Sequence, residues 1–396
     1  MGRRRLDKSS QLWKYHDAMW RNPAQVVCQW GGAESVDPDV LKFSIKGKWR
    51  EVMASTGVTL LVTREYEHLV VALKAGGNGE DHQSYCPLPH PSGLAVDKES
   101  CRVYVASTRN PNQIVEFLPS SSMDQLACSE RSKWRDASFL VPVRARFFPG
   151  CLYIHDIALI GGQLYASSTG SNSLVRLDDD GRYETVWWPH CIDSETGPVL
   201  GLNYIQLNSI AAGPSIEGSF FSASSDKISL RRPGHRNFPV NLRGVIFSGQ
   251  TREVIARGLT RPHSARLNGN QLWVNNSGYG ETGCIENGIY SVVAKLPGWT
   301  RGLCFCNNIA FVGTSKLIPR FSQYAPGLDQ NSSVCGVHAI DIKTGDIIGS
   351  LIWPHGSQIF SIEWLPAGPT AGFLMSYPGR NSSSAQRDFF YAFKTL

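Results

Sequence analysis

Several quick assignments are closed off by what this sequence lacks. No apolar run is long enough to cross a bilayer, so a membrane-spanning protein is not expected. None of its ten cysteines are spaced as CxxC, which indicates neither a zinc knuckle nor a disulfide framework. A secretory signal needs a basic start followed by an apolar stretch, yet Leu6-Asp7-Lys8-Ser9-Ser10-Gln11 is polar. A cytosolic protein with reduced, buried cysteines is therefore expected, and the Asn-x-Ser sequences at Asn275, Asn331 and Asn381 are chance matches without glycans. Charge is sparse too. Only 18% of residues are charged, and the net charge of +6 comes from scattered Lys and Arg plus the short run Gly2-Arg3-Arg4-Arg5. No nucleic-acid motif accompanies that run, so it reads as a solvated terminus and nucleic acid is not an expected partner.

What the chain does have is glycine (38 residues), many aromatics, and 396 residues in which to bury a core. Length allows two ordinary domains or one large all-β domain. Many short strands joined by tight turns fit this composition better than helical bundles.

Internal similarity decides between all-β architectures. The segment from His155 through Asp156, Ile157, Gly161, Gln163 and Leu164 to Ala166 aligns without a gap on the segment from His263 through Ser264, Ala265, Gly269, Gln271 and Leu272 to Val274. Each copy is a strand, a Gly/Asn turn and a second strand, with a histidine heading the first. In the same phase, Ala310-Phe311-Val312-Gly313 puts Arg301 at the histidine position; looser matches put Ser92, Asn208 and Phe360 there. Third and fourth strands follow, as in Ser173–Asp178 and Tyr183–Pro189. Four antiparallel strands per unit define a β-propeller blade. The first unit, around Leu60–Val71, lacks an inner strand, and the last, from Phe360, lacks an outer one. Ring closure by exchanged terminal strands leaves that pattern, and the count comes to about seven blades, or six, depending on how the two ends join. Residues 57–396 then form the propeller domain. Residues 1–56, with helix-like stretches at Ser10–Trp20 and Lys48–Met53, read as a small helical extension packed on the ring.

The first strand of a blade is innermost, so the repeat phase gathers Ser92, His155, Asn208, His263, Arg301 and Phe360 at one mouth of the central channel. Two chemistries suit that ring. His155 and His263, with Asp156 and with Asn208 or Gln206, offer ligand types for a divalent metal ion, which would activate water or polarise a carbonyl. Without metal, a histidine serves as general base while Arg301 stabilises developing negative charge. Arg301, Arg266, Gln206 and Asn208 are the candidate substrate binders, and His155, Asp156, His263 and Arg301 the candidate catalytic set. Each also has a purely structural reading: a histidine that hydrogen-bonds at a strand start, an Asp156 that caps a turn or faces the next blade, an Arg301 paired between blades. Ser264 adjoins His263 on the opposite strand face, which argues against a Ser-His nucleophile. Asn276–Glu281 is Gly-rich but lacks the strand-to-helix setting of a phosphate loop, and His90 and His190 have no evident repeat partner.

Arg261-Pro262-His263-Ser264-Ala265-Arg266, the following Leu272-Trp273 and Ser277-Gly278-Tyr279-Gly280-Glu281, then Pro297-Gly298-Trp299-Thr300-Arg301-Gly302-Leu303, resemble an uncharacterised bacterial family of conserved hypothetical proteins. The likeness extends upstream to Ile154-His155-Asp156 and Leu207-Asn208. Two positions depart from the family pattern: Gln206 stands where the family usually has His, and Ala265 where it has Pro. The resemblance implies a propeller-like fold and no particular activity.

The function expected from these residues is that of a cytosolic enzyme, a lyase, hydrolase or isomerase. It would act on a polar or anionic small molecule or a carbohydrate-derived ligand, by metal-assisted or histidine-mediated chemistry. The alternative is a non-catalytic propeller that recognises a protein or glycan.

Overall fold

The computed structural model describes residues 36–75, 81–109, 112–120 and 138–368, with residues 11, 12, 14, 370 and 372–374. The chain is a β-propeller of six blades, each a four-stranded antiparallel sheet. From the channel outward, blade 2 is Pro91–Asp97, Arg102–Ser107, Asn112–Pro119 and Leu140–Phe148. Blade 3 is Ile154–Ile160, Gln163–Ser168, Ser173–Leu177 and Tyr183–Trp187. Blade 4 is Leu207–Ala211, Phe220–Ala223, Gly244–Ser248 and Val254–Leu259. Blade 5 is Pro262–Asn268, Gln271–Asn276, Glu281–Glu286 and Ile289–Lys295. Blade 6 is Trp299–Cys306, Ile309–Ser315, Gly336–Asp341 and Ile347–Ile352.

Blade 1 settles the count. The late strand Ser361–Pro366 is its innermost strand, antiparallel to Val58–Arg64 with Thr63 opposite Ser361, and Leu69–Ala75 and Asp81–Pro87 follow outward. The two incomplete units of the sequence are thus one blade, which makes six and not seven. The inner strands contact one another in order around the ring, from blade 2 to blade 6 and through blade 1 back to blade 2. One apolar cluster fills each of the six interfaces between neighbouring blades. Strands sandwiched between two interfaces are buried on both faces, which is why every residue of Val58–Arg64 is buried, the polar Thr59, Thr63 and Arg64 as well as the apolar Leu60, Leu61 and Val62.

Ahead of blade 1, Ser44–Gly47 adds a fifth strand to the outer edge of blade 6, and a helix, Trp49–Thr56, follows it. Trp49 is fully buried against Phe311 with ring centroids 6.1 Å apart. Of the helix expected around Ser10–Trp20, only residues 11, 12 and 14 are described, and they are helical; the rest lies outside the described residues. The described cysteines are free thiols, most of them buried. Among the described residues no helix is long and apolar enough to cross a membrane.

Near the mouth the inner strands approach too closely for side chains everywhere. A Cβ on Gly93 would sit 2.6 Å from the Ile157 backbone nitrogen, so only glycine fits between blades 2 and 3 there. Deeper in the channel, one buried ion pair spans the ring. Asp156 of blade 3 accepts from both terminal nitrogens of the Arg266 guanidinium of blade 5, at 2.7 and 3.2 Å, and also from the backbone N–H of Ile210 in blade 4, at 3.0 Å. Arg266 in turn donates to the Ile210 carbonyl and lies 3.7 Å from Glu363 of blade 1. Removing one partner of such a pair strands the other's charge, which costs about 3–5 kcal/mol. Asp156→Ala is expected to lose about that much stability in urea unfolding. Combining it with Arg266→Met should recover part of the loss; a double variant less stable than the single one would refute this account of the tie.

Candidate functional site

Antiparallel blades put the start of the inner strand and the loop between second and third strands at the same end. At that end a cavity of about 360 Å³ opens on the channel axis. It brings together His155, His263, Arg301 and Phe360 of the ring expected in the sequence, with the candidate binder Gln206. The other members lie beside it. Ser92 donates to the Ile154 carbonyl at 3.0 Å, and Asn208 donates to Ser224 Oγ and the Pro262 carbonyl, both fastening neighbouring blades. Asp156 and Arg266 are engaged with each other below the cavity.

Two local devices aim the ring side chains. The inner strands of blades 2 to 6 each carry a register shift at or just past the ring position, as around His155, between His263 and Arg266, or between Thr300 and Leu303. Such bulges re-aim side chains without ending the strand. In addition, His90, Tyr153, Gln206 and Arg261 all have left-handed backbone, with φ of 44°, 51°, 52° and 55°. Each stands two residues before Ser92, His155, Asn208 or His263. Left-handed backbone is uncommon in residues other than Gly, Asn or Asp, and holding four equivalent positions there costs energy that packing must offset. Its effect is to turn Tyr153, Gln206 and Arg261 into the cavity, and His90 to within 3.6 Å of Glu65.

The remaining walls come from loops. The loops after the second strands of blades 1 and 2 supply Glu65, Tyr66 and Arg109. Two long loops in the same position, from blade 4 (Arg232, Arg236) and blade 6 (Gln323, Tyr324), meet over the mouth, where Tyr324 Oη donates to the Gly234 carbonyl at 2.6 Å. Phe238, Val240, Trp299 and Tyr324 form a small apolar cluster beneath that junction.

Five arginines line the cavity, with Glu65 as the single carboxylate among the described lining residues. Aromatic faces brace three of the guanidinium groups. Arg301 lies 4.4 Å over Phe360 and 4.6 Å over Trp299, Arg261 lies 4.1 Å over Tyr324, and Arg109 lies 5.1 Å over Tyr153. Arg301 also donates to His263 Nε2 at 3.1 Å, which makes that nitrogen the acceptor and places the ring's proton on Nδ1. Gln358, with its amide oxygen turned to Arg301 and its nitrogen to Glu65, links those two groups. The rings of His155 and His263 stack nearly parallel with centroids 6.0 Å apart. Nδ1 of His155 is buried without a hydrogen-bond partner.

This setting keeps both imidazoles neutral. Burial, with Arg301 as the next cause, lowers His155 to about 3, and burial, Arg301 and His155 itself hold His263 well below its ordinary value. Burial alone would raise Glu65, but His90 and the fields of Arg109 and Arg301 bring its carboxyl down to about 2. Burial also lowers Arg261, to about 10, and Arg301.

A divalent metal does not suit this donor set. Two imidazoles converge, but among the described residues no three His, Cys, Asp or Glu side chains gather as ligands, and the ring of guanidinium groups repels a cation. The arrangement suits an anion, with neutral imidazoles to exchange a proton with it.

Fold and site together define a β-propeller with an arginine-lined central cavity. Over residues 47–373 the chain matches the family described as "Domain of unknown function (DUF4915)", and it belongs to that family. No curated protein matches its sequence. Among solved structures it is similar to a chain of a nidogen/laminin complex, with TM-score 0.52 and 13% identity over 78% of this chain and 99% of that one, which is a likeness of fold. It also aligns with a protein of unknown function from Bacteroides caccae (TM-score 0.48, 9% identity, 78% and 98% covered). A gluconolactonase from Xanthomonas campestris aligns less well (TM-score 0.43, 12% identity, 76% and 86% covered).

The depressed histidines give a stability signature with a definite sign. In the unfolded chain an imidazole takes a proton below about pH 6.5, whereas His155 stays neutral until about 3. The stability this contributes is complete above pH 6.5 and is lost as pH falls toward 3, by about 1.4 kcal/mol per pH unit for each such histidine. His155→Asn should therefore lose about 2 kcal/mol less than the wild type between pH 7.5 and 5 in urea titrations. Equal losses would show that His155 is not held neutral.

Proposed function

We propose that the protein is a cytosolic enzyme that takes a small anionic molecule, a sugar derivative foremost, into the central cavity and acts on it by histidine-mediated proton transfer. The observation that carries this reading is a cavity lined by five arginines and one carboxylate, with two stacked neutral histidines at its floor. The free thiols of the described cysteines accord with a reducing compartment.

Each group then has a role. Arg301, fixed in plane by Trp299 and Phe360, offsets negative charge that develops on the substrate. His263 orients Arg301 through Nε2, which occupies that lone pair. His155 is the proton carrier: it lines the cavity, and no hydrogen bond from the described residues holds its ring. At about 3, its affinity for a proton in the empty cavity is too low for efficient base catalysis at neutral pH. An incoming anion changes that. By neutralising the field of Arg301, the substrate raises the proton affinity of His155, so the base is strengthened only when the site is filled. Gln206 and Arg261 hold the substrate's polar groups, whereas Asn208, Asp156 and Arg266 keep the blades in place around it.

The low proton affinity of the empty site equally favours a second reading, in which the cavity binds its anion without converting it. Both readings predict that gluconate or glucuronate raises the melting temperature and that glucose at the same concentration does not; saturation at a hundredfold over Kd corresponds to about 2.7 kcal/mol. To separate them, the ligands that bind are incubated in D2O or H218O and recovered for mass spectrometry. Conversion or isotope uptake with wild type, lost at least a hundredfold in His155→Gln while the melting shift persists, is the result expected of the enzyme. Ligands returned unchanged would leave a binding protein. No shift with any anion would sink both.

A further inference from the structure

Arginines on the blades of this protein have acidic partners. Glu116 takes Arg102 and Arg146 at 3.1 and 2.7 Å, Asp156 takes Arg266 at 2.7 Å, and Glu67 lies 3.4 Å from Arg64. Arg261 and Arg301 are as deeply buried, at 3% and 4% exposure, yet neither makes an ion pair within 4 Å among the described residues. Their hydrogen-bond partners are neutral: Gln206, Ser224 and the Tyr324 phenol for Arg261, His263 and Gln358 for Arg301. The Nε–H of each is buried without an acceptor. Burying a charge without a counter-charge costs several kcal/mol, and two like charges in one cavity add repulsion to that cost. The two are near enough that the field of Arg301 is among the causes that lower Arg261. Glu65 is the one carboxylate whose field reaches Arg301, and it is shared with Arg109 and His90, so the cavity keeps an excess of positive charge.

We infer that Arg261 and Arg301 form a receptor for one compact dianion, the phosphate of a phosphomonoester. The inference rests on the anion-binding reading above and names the group that the site takes. A monoanion leaves one guanidinium uncompensated. A neutral sugar hydroxyl leaves both. Two separate carboxylates are poorly suited to guanidinium groups that share one another's field. A phosphomonoester carries close to two charges at neutral pH and offers three acceptor oxygens to the orphaned Nε–H donors. With aromatic faces fixing both guanidinium planes, little side-chain entropy is left to lose on binding. The rest of the ligand then extends from the phosphate toward His155.

Isothermal titration with inorganic phosphate, sulfate and acetate tests this, using wild type, Arg261→Gln and Arg301→Gln in a zwitterionic buffer. Phosphate and sulfate are expected to bind at least tenfold more tightly than acetate. Phosphate affinity should rise from pH 5.5 to 7.5 as the dianion forms, while sulfate affinity stays flat or falls. Each substitution should weaken phosphate at least tenfold. The anion ranking and the pH comparison need only wild type, so a variant that fails to fold does not decide the matter. Acetate binding as tightly as phosphate overturns the dianion receptor and leaves the broader anion reading standing. Phosphate binding that both folded variants retain places the phosphate elsewhere and overturns the assignment to these residues. Binding of no anion at all removes both.

Discussion

The Asp156–Arg266 pair is the constraint on which both the ring and its site depend. Adjacent blades of a propeller are joined by apolar interfaces, which are strong but poorly directional. The ion pair adds direction across the ring: one guanidinium group ties blade 5 to blade 3, shares the Ile210 backbone with blade 4, and approaches Glu363 of blade 1. Asp156 immediately follows His155, and Arg266 lies three residues beyond His263. Pinning the pair below the mouth therefore fixes the height and orientation of both histidines above it. Such pairs contribute little net stability, because desolvation consumes most of the Coulomb gain. What this one contributes is position.

The charge above that tie is arranged in the opposite way. Below the mouth, Arg266 is matched by carboxylates on two sides; in the cavity, guanidinium groups outnumber the one carboxylate among the described lining residues, and three of them lie against aromatic rings. A sequence selected for stability alone would not keep Arg261 and Arg301 buried with neutral partners, nor hold two imidazoles so far from their ordinary proton affinity. Local departures of this kind mark functional sites. Because an anion relieves the burial cost of the arginines and the repulsion on the histidines together, binding and proton affinity are coupled through one electrostatic field.

The parts of this architecture that repeat were legible in the sequence. His155 and His263 share a position because the strand, turn and second strand following each have equal length, so alignment alone puts them side by side. Arg301 falls in the same phase through its second strand, and the structure brings it to His263. The count stood between seven and six because the two halves of blade 1 lie some 300 residues apart; their missing strands pointed to ring closure, but neither half fixes that Ser361–Pro366 and Val58–Arg64 share one blade. Arg109, Arg232 and Tyr324 were illegible for a related reason. They stand on loops of unequal length, where no register carries over from blade to blade. Asp156 and Asn208 were legible as polar residues at the mouth, but residue type does not tell which way a side chain turns past a bulge, and both turn to neighbouring blades.

His90, Tyr153, Gln206 and Arg261 show how a symmetric scaffold yields an asymmetric site. Their shared left-handed backbone belongs to the repeat, yet their side chains differ completely. The position forces whatever stands there toward the axis, so the chemistry of the cavity is written in the choice of side chain and the geometry in the backbone. The strain needed to hold a tyrosine and an arginine in that conformation must be met by contacts on both sides: Arg109 against Tyr153, and Gln206, Ser224 and Tyr324 around Arg261. Those contacts come partly from the long loops of blades 4 and 6, the two that break the symmetry of the mouth. The loops are therefore more than a cover. Without the Tyr324 ring they supply, the Arg261 guanidinium group would have neither a fixed plane nor shelter from water, and the strained backbone beneath it would lose one of its supports.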